Sequence, residues 1–253
     1  MSAPEPSEGL TRLEELISPD LHLNIDAASR ASSVGWGLLF TVLHQVEAIL
    51  YLHRQGCCFA AAPNRRTAVE YAVWLVWLAD QTDQVVDVLN RGLRQDQIQL
   101  ANRLRDAGLT ERVSPDAYQI LVDTVGTALP PEPDERLLKI GQLLDEYGYG
   151  ALKAYYKVES RFVHPSLTAI REFTHDSNEG LLFRQRPLHE ELVPCQQFCL
   201  MVLFDAMLAF NTLLVGSPWT DVLMEVAADH NLPTHLPVRK VRPDVGDPQP
   251  PDP

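Results

Sequence analysis

Apolar residues recur every three or four positions along most of the chain, and the alternating runs that strands need are absent. This period is typical of amphipathic helices that bury one face. We therefore expect an all-α, single-domain helical bundle of about seven to nine helices. The predicted helices cover residues 10–17, 36–54, 65 to beyond 80, 84–107, 115–127, 134–147, 150–173, 195–215 and 217–229.

The ends of the chain differ in composition from its middle. We expect residues 1–9 to be a disordered tail, because they cannot bury enough apolar surface to offset the entropy of ordering. Residues 232–253 are proline-rich and predict an extended tail. Residues 10–231 then form the helical bundle domain. Within it, 129–133 are expected to be a rigid connector and 174–187 a polar loop.

The stretch from Gly150 to Phe173 carries the most suggestive polar pattern. Tyr156, Ser160 and His164 are four residues apart, so on a helix they form one row. Pro165 pushes His164 away from helical backbone angles, and we expect the helix to kink or restart there. A row of this kind is able to form a catalytic or binding site. A structural kink, with His164 bonding to a neighbouring helix, is the alternative.

The same residues carry a resemblance. The run from Tyr156 to Ser166, with Arg66 and Glu70 far upstream, resembles a widespread bacterial family of uncharacterised helical proteins. In that family an R-x-x-x-E helix is followed by a Y-x-x-x-S-x-x-x-H-P-S helix. The resemblance covers about residues 38–213 and implies no established activity.

In outline the chain is also similar to the HEPN superfamily, helical bundles that include metal-independent ribonucleases with an R-x(4 to 6)-H motif. Here only two residues separate Arg161 from His164, and the basic residue at the family's spacing is Lys157. The similarity implies RNA processing in a stress or phage-defence setting. In a catalytic version of the site, His164 would be the general base or acid, Arg161 would stabilise the phosphate charge, and Tyr156 or Ser160 would orient the substrate.

Three further residues are candidates for ligand binding, and we expect them to line one polar pocket with the four catalytic candidates. Arg66 and Glu70 lie one turn apart before an apolar run, which fits either a buried polar network or a surface pair. Asp205 interrupts the apolar stretch at 195–215. If it faces the core it needs a donor or a cation. The expected partners for it are Arg66, Arg161 or His164.

Charge and composition narrow the classes of function. A net charge of −13 argues against a broad nucleic-acid footprint, although a small basic patch remains compatible with it. The four cysteines lack zinc spacing, and the acidic start lacks the features of a secretory leader, so we expect a cytoplasmic protein. The stretch 195–215 approaches the length of a membrane span, but Asp205 at its centre favours a buried bundle helix and no membrane.

Whether the chain is an enzyme stays open at this point. It has no Walker loop, no G-x-G-x-x-G, no H-E-x-x-H and no nucleophile elbow, so no cofactor and no metal are expected. The partner is unknown; RNA, another protein or a second copy of the chain are the candidates. A non-catalytic interaction module or small-ligand-binding module is one alternative. Another is a metal-binding bundle, which requires convergence of His44, Glu47, Glu70, Glu159 and His164.

Overall fold

A computed structural model describes residues 4–17, 29–116, 118–119, 133–164, 166–177, 180–184, 187 and 193–240. In this part of the chain the fold is an α-helical bundle, as the sequence predicts. Its helices are α1 (Pro6–Glu15), α2 (Arg30–Arg54), α3 (Ala62–Gln81), α4 (Asp83–Asp106), α5 (Ile140–Glu146), α6 (Gly150–Val163), α7 (Leu167–Arg171), α8 (Cys195–Thr212) and α9 (Thr220–His230). Short segments of 3₁₀ helix lie at Cys58–Ala61, Thr110–Arg112 and Pro133–Leu138.

The apolar helix α8 lies at the centre of the bundle. Thirteen of its eighteen residues are buried, and it packs against α1, α2 and α3. Side chains such as Phe204 and Phe210 are fully enclosed, which explains why its sequence shows almost no polar face. Helix α3 in turn packs against α6, so the two helices that carry most candidate residues face each other.

Among the helices that the structure describes, α2 and α8 are long and apolar enough to cross a membrane by length and composition alone. For α8, 72% of the apolar window is buried inside the bundle, the arrangement found in core helices. The match in length and composition is therefore weak evidence for a membrane span.

Several predicted boundaries were wrong. Helix α1 begins at Pro6, so residues 6–9 are helical and not part of a disordered tail; a Cβ at Gly9 would lie 2.6 Å from Nε2 of His230. Helix α2 begins at Arg30, and its cap is Ser29, whose hydroxyl accepts from the amide of Ser32 over 3.2 Å.

The helices predicted over 65 to beyond 80 and over 84–107 are separate, and one other predicted helix is divided. Thr82 adopts a left-handed backbone with φ of 49°, which separates α3 from α4. The helix expected over 134–147 is a 3₁₀ turn followed by α5, because Lys139 between them has an extended backbone with ψ of 104°.

The loop expected after residue 173 contains a small antiparallel hairpin. Strand β1 (Thr174–Ser177) pairs with β2 (Gly180–Phe183), with Thr174 opposite Phe183. Its two short strands add to the fold without changing its class. The expectations for most of the 115–127 helix, for the connector up to residue 132 and for the chain beyond 240 lie outside the described residues.

The segment after α9 is extended and lies against the bundle. Leu232 and Leu236 pack against the core. The guanidinium of Arg239 donates to Asp134 over 2.7 Å, and the amide of Lys240 donates to the carbonyl of Glu146 over 2.8 Å. Residues 232–240 are therefore attached to the domain.

Candidate functional site

Four side chains from α3 and the end of α6 meet in what we call the polar cluster: Arg66, Glu70, Tyr156 and His164. Nε of Arg66 lies 3.1 Å from Oε1 of Glu70 and 2.9 Å from the hydroxyl of Tyr156. The Tyr156 hydroxyl donates to Glu70 over 2.6 Å, and Nη1 of Arg66 lies 3.0 Å from Nε2 of His164. The sequence predicts that these four residues belong to one polar pocket, and the fold brings them together.

The position of the cluster follows from helix geometry and packing. Arg66 and Glu70 are one turn apart on α3, and Tyr156 faces them from α6. Tyr156 is 9% exposed, while the side chains of Arg66 and Glu70 are each 26% exposed. Arg66 and Glu70 therefore form neither a fully buried network nor a surface pair. They belong to a half-buried network that is open to solvent on one side.

Proton positions in the cluster follow from what each group is able to donate. A guanidinium has only N–H donors, so Nε2 of His164 must accept, and the neutral ring then carries its hydrogen on Nδ1. The Tyr156 hydroxyl accepts from Arg66 and donates to Glu70. Burial, followed by the hydrogen bond to Glu70, raises the pKa of Tyr156. The phenol therefore stays protonated and holds the carboxylate in place.

His164 is placed by the break in the helix that the sequence predicts. Helix α6 ends at Val163, and His164 has an extended backbone with ψ of 147°. The hydroxyl of Ser166 caps α7 by accepting from the amide of Ala169 over 3.1 Å. The break turns the imidazole toward α3 and leaves His164 exposed on its outer side.

Two predicted catalytic residues, Ser160 and Arg161, lie outside the cluster. The hydroxyl of Ser160 donates back to the carbonyl of Tyr156 over 2.7 Å. Arg161 is exposed, and its carbonyl accepts from the hydroxyl of Ser166 over 2.6 Å. Within the described residues, no hydrogen bond joins the Arg161 guanidinium to the cluster. Arg66 takes the position beside His164 that the sequence had suggested for Arg161.

Asp205 also lies apart from the cluster, and the partners expected for it were wrong. Its carboxylate lies 3.4 Å from the hydroxyl of Tyr149, which donates to it. Burial raises the pKa of Asp205 to about 7, and the hydrogen bond from Tyr149 opposes this rise. Arg66, Arg161 and His164 are not among the groups that bond to it.

A buried ion pair next to the cluster was missed by sequence reasoning. The side chains of Arg65 and Glu159 are 1% and 2% exposed, and Nε lies 2.9 Å from Oε2. Nη1 of Arg65 also donates to the carbonyl of Cys58 over 3.0 Å. A signal was present, since Arg65 precedes buried Val69 and Ala72 at helical spacing and so occupies an inward-facing position.

His164 lies at the edge of an open groove of about 540 Å³. Phe59 contacts both Phe162 and Phe173 edge to face, with ring centroids 5.6 Å apart in each pair. The groove is lined by Phe59, Phe162, Val163, His164, Ser166, Ala169, Ile170, Phe173, Thr174 and Arg184. A surface of aromatic edges beside the His164 imidazole and the Arg184 guanidinium suits a planar, negatively charged ligand.

The metal-binding alternative needs five groups to converge, and they do not. Nδ1 of His44 lies 3.1 Å from Oε2 of Glu47 on an exposed part of α2. Glu159 is paired with Arg65, and Glu70 with Arg66. Within the described part of the chain, no three His, Cys, Asp or Glu side chains are grouped so that they could hold a metal ion.

Comparison with known protein families identifies the family of this chain. The model of DUF5677, a family of unknown function, matches residues 33–181, which is more than half of the chain. The chain belongs to this family. The matched region contains all four members of the polar cluster, and DUF5677 is an uncharacterised family, as the resemblance implied. No curated protein and no solved structure matches the chain.

Proposed function

We propose that this member of DUF5677 cleaves single-stranded RNA without a metal ion, with His164 as the group that moves the proton. The observation that carries the proposal is the 3.0 Å contact between Arg66 and Nε2 of His164, at the edge of the groove. An arginine beside an exposed imidazole combines the charge stabilisation and the proton acceptor that phosphodiester cleavage needs.

The hydrogen bonds within the polar cluster suggest the order of the steps in RNA cleavage. Nε2 of His164 is held by Arg66, and an incoming phosphate competes for the guanidinium. Once freed, Nε2 accepts the proton of the ribose 2′-hydroxyl while the 2′ oxygen attacks phosphorus. The 5′ oxygen leaves and takes a proton from the imidazolium, which yields a 2′,3′-cyclic phosphate and a 5′-hydroxyl. Glu70 and Tyr156 orient Arg66 from behind.

The groove offers a place for the bases. Stacking on aromatic side chains is sequence-tolerant and contributes about 1 to 3 kcal/mol per base. Phe173 is 36% exposed, and Arg184 lies in the same wall. A short unpaired segment is favoured, because its bases are free to leave their own stack.

The positive charges near His164 suit an RNA substrate better than the negative net charge of the whole chain does. The chain carries a net charge of −13, but Lys157, Arg161 and Arg171 are all exposed on α6 and α7. These three cations lie within seven residues of His164 in the chain, and we propose that they supply a small basic patch. We infer that contact is limited to a few phosphates, so the salt dependence of binding should be shallow.

The cellular setting belongs to the same proposal. The outline similarity to HEPN proteins favours a stress or phage-defence role. The four cysteines are in the thiol form, which suits a reducing cytoplasm.

The test is cleavage of a mixed RNA pool in EDTA by the wild type, His164→Ala and His164→Gln, with thermal melts alongside. His164→Gln keeps an acceptor for Arg66 but is unable to carry a proton. We expect both variants to lose cleavage, and the Gln variant to keep nearly the wild-type melting temperature. His44→Ala, at an exposed histidine on α2, is the matched control and should retain cleavage. Undiminished cleavage by His164→Gln, or none by the wild type, would overturn the proposal.

A second function is favoured by a different observation. Leu167 and Ile170 on α7 are 71% and 59% exposed, close to the cluster in sequence. Such a surface suits a non-catalytic interaction module, in which the cluster is a structural network that fixes α7. A wild type that does not cleave RNA, together with a large fall in the melting temperature of both His164 variants, would favour this function.

A further inference from the structure

A second cavity lies away from the groove, along the same contact between α3 and α6. Its volume is about 250 Å³. The described residues that line it are Ala72, Val73, Gly148, Tyr149, Gly150, Ala151, Leu152, Met201, Val202, Asp205, Leu232 and Pro233. Nearly all of these are apolar, so the cavity favours an apolar ligand.

The wall of the cavity contains one ionisable acid. Asp205 and Tyr149 are the titratable members of the described lining. The tyrosine hydroxyl donates to the carboxylate over a long 3.4 Å, and no ion pair with a cation is found for Asp205 among the described residues. A carboxylate with one weak donor in apolar surroundings retains capacity for a further, stronger donor.

We propose that this cavity binds a small apolar molecule that carries a primary ammonium group, with the ammonium paired to Asp205. The charge of such a ligand complements the carboxylate, and its three N–H donors fill the acceptor positions that Tyr149 leaves. An anionic ligand would meet the carboxylate at close range and is excluded.

The size of the cavity limits the ligand to about one ring or a short alkyl chain. A cavity of about 150 Å³ is enough for benzene, and drug-sized ligands occupy about 300 Å³ or more. At about 250 Å³ this site lies between the two. Arylalkylamines and medium-chain alkylamines are therefore the chemical class we assign to it.

The segment after α9 covers the cavity. Leu232 and Pro233 belong to its wall, and the chain beyond them is held at Arg239 and Lys240. A bound molecule would lie beneath this segment and against Met201, which is 41% exposed. The covering segment shields the pair with Asp205 from water, which strengthens the attraction between the two charges.

The test is calorimetric titration of the full chain with phenethylamine, 2-phenylethanol and 3-phenylpropionate at pH 8. These probes share one ring and differ in charge. We expect the amine to bind at least about tenfold more tightly than the alcohol, and the acid not to bind. Asp205→Asn should lose the preference for the amine, whereas Asp106→Asn, at an exposed acid at the end of α4, should keep it.

A second measurement needs only the wild type. The affinity for phenethylamine should fall as the pH is lowered from 8 to 6, because the Asp205 carboxylate becomes protonated, whereas the affinity for the alcohol should not change. Burial and the nearby Asp205 raise the pKa of Tyr149, which therefore stays neutral over this range. Equal affinities for the amine and the alcohol, or no binding of the amine, would overturn the proposal. The cluster at His164 takes no part in this experiment, so its outcome is separate from that of the RNA assay.

Discussion

Arg66 donates a hydrogen bond from Nη1 to Nε2 of His164 over 3.0 Å, although the two residues are 98 positions apart in the sequence. The contact forms because α3 packs on α6 and because the helical path stops at Val163. It fixes the imidazole as an acceptor and connects it, through one guanidinium, to Glu70 and Tyr156. We therefore expect a substitution at Arg66, Glu70 or Tyr156 to change how the His164 imidazole is held.

Replacement of Arg66 by lysine tests whether the shape of the guanidinium matters in addition to its positive charge. A lysine keeps the positive charge but lacks the planar fork that reaches Glu70, Tyr156 and His164 together. We expect RNA cleavage to fall by about 10 to 100 fold, with kcat more affected than KM. Arg161→Lys, on the exposed side of α6, should change cleavage less than about threefold. A larger loss for Arg161→Lys would return the phosphate-binding role to Arg161.

Removal of the Tyr156 hydroxyl tests whether its hydrogen bonds hold Glu70 and Arg66 in place. Tyr156→Phe leaves Glu70 without its 2.6 Å hydrogen bond in a half-buried position. We expect a loss of about 1 to 2 kcal/mol in the free energy of unfolding, measured by urea denaturation. Tyr51→Phe is the matched control, because Tyr51 is 58% exposed. Equal stability of the two variants would contradict the network.

The buried pair of Arg65 and Glu159 should behave differently from a surface pair. Glu159→Gln leaves the guanidinium of Arg65 buried beside a neutral group, and we expect a cost of about 3 to 5 kcal/mol in the free energy of unfolding. The double variant Arg65→Met with Glu159→Leu should recover much of this loss, since both charges are then gone. Asp87→Asn, which breaks an exposed pair with Arg30, should cost less than about 1 kcal/mol. Additive losses in the double variant would argue against the pairing.

Asp205 should make the stability depend on pH. Burial raises its pKa from 3.8 to about 7 in the folded chain, so between these values the folded state holds a proton that the unfolded state has lost. The free energy of unfolding should therefore fall as the pH rises from about 4 to 7, by up to about 1.4 kcal/mol per pH unit, and level off above 7. Asp205→Asn removes this contribution.

The measurement is a pair of thermal melts for each protein at pH 5 and pH 8. The melting temperature of Asp205→Asn should exceed that of the wild type by more at pH 8 than at pH 5. Asp106→Asn should show no such difference between the two pH values. The same gap at both pH values would mean that the Asp205 carboxyl titrates as it does in water.

Much of the fold was predictable because helices are local. The period of apolar residues gave the all-α class and the central position of α8, and the restart after His164 follows from the proline next to it. The start of α2 was predicted wrongly because a single residue, its cap, determines it. Ser29 caps this helix, which therefore begins at Arg30 and not at residue 36.

The sequence by itself determined which residues share a helix face: Arg66 with Glu70, and Tyr156 with Ser160 and His164, since four positions make about one helical turn. Only the tertiary structure decided which of them meet. It joined Arg66 to His164, turned Ser160 back to its own helix, paired Arg65 with Glu159, and placed Asp205 beside Tyr149. Contacts between helices depend on how their side chains pack in three dimensions, and the spacing of residues within one helix carries no information about the rotation of the next.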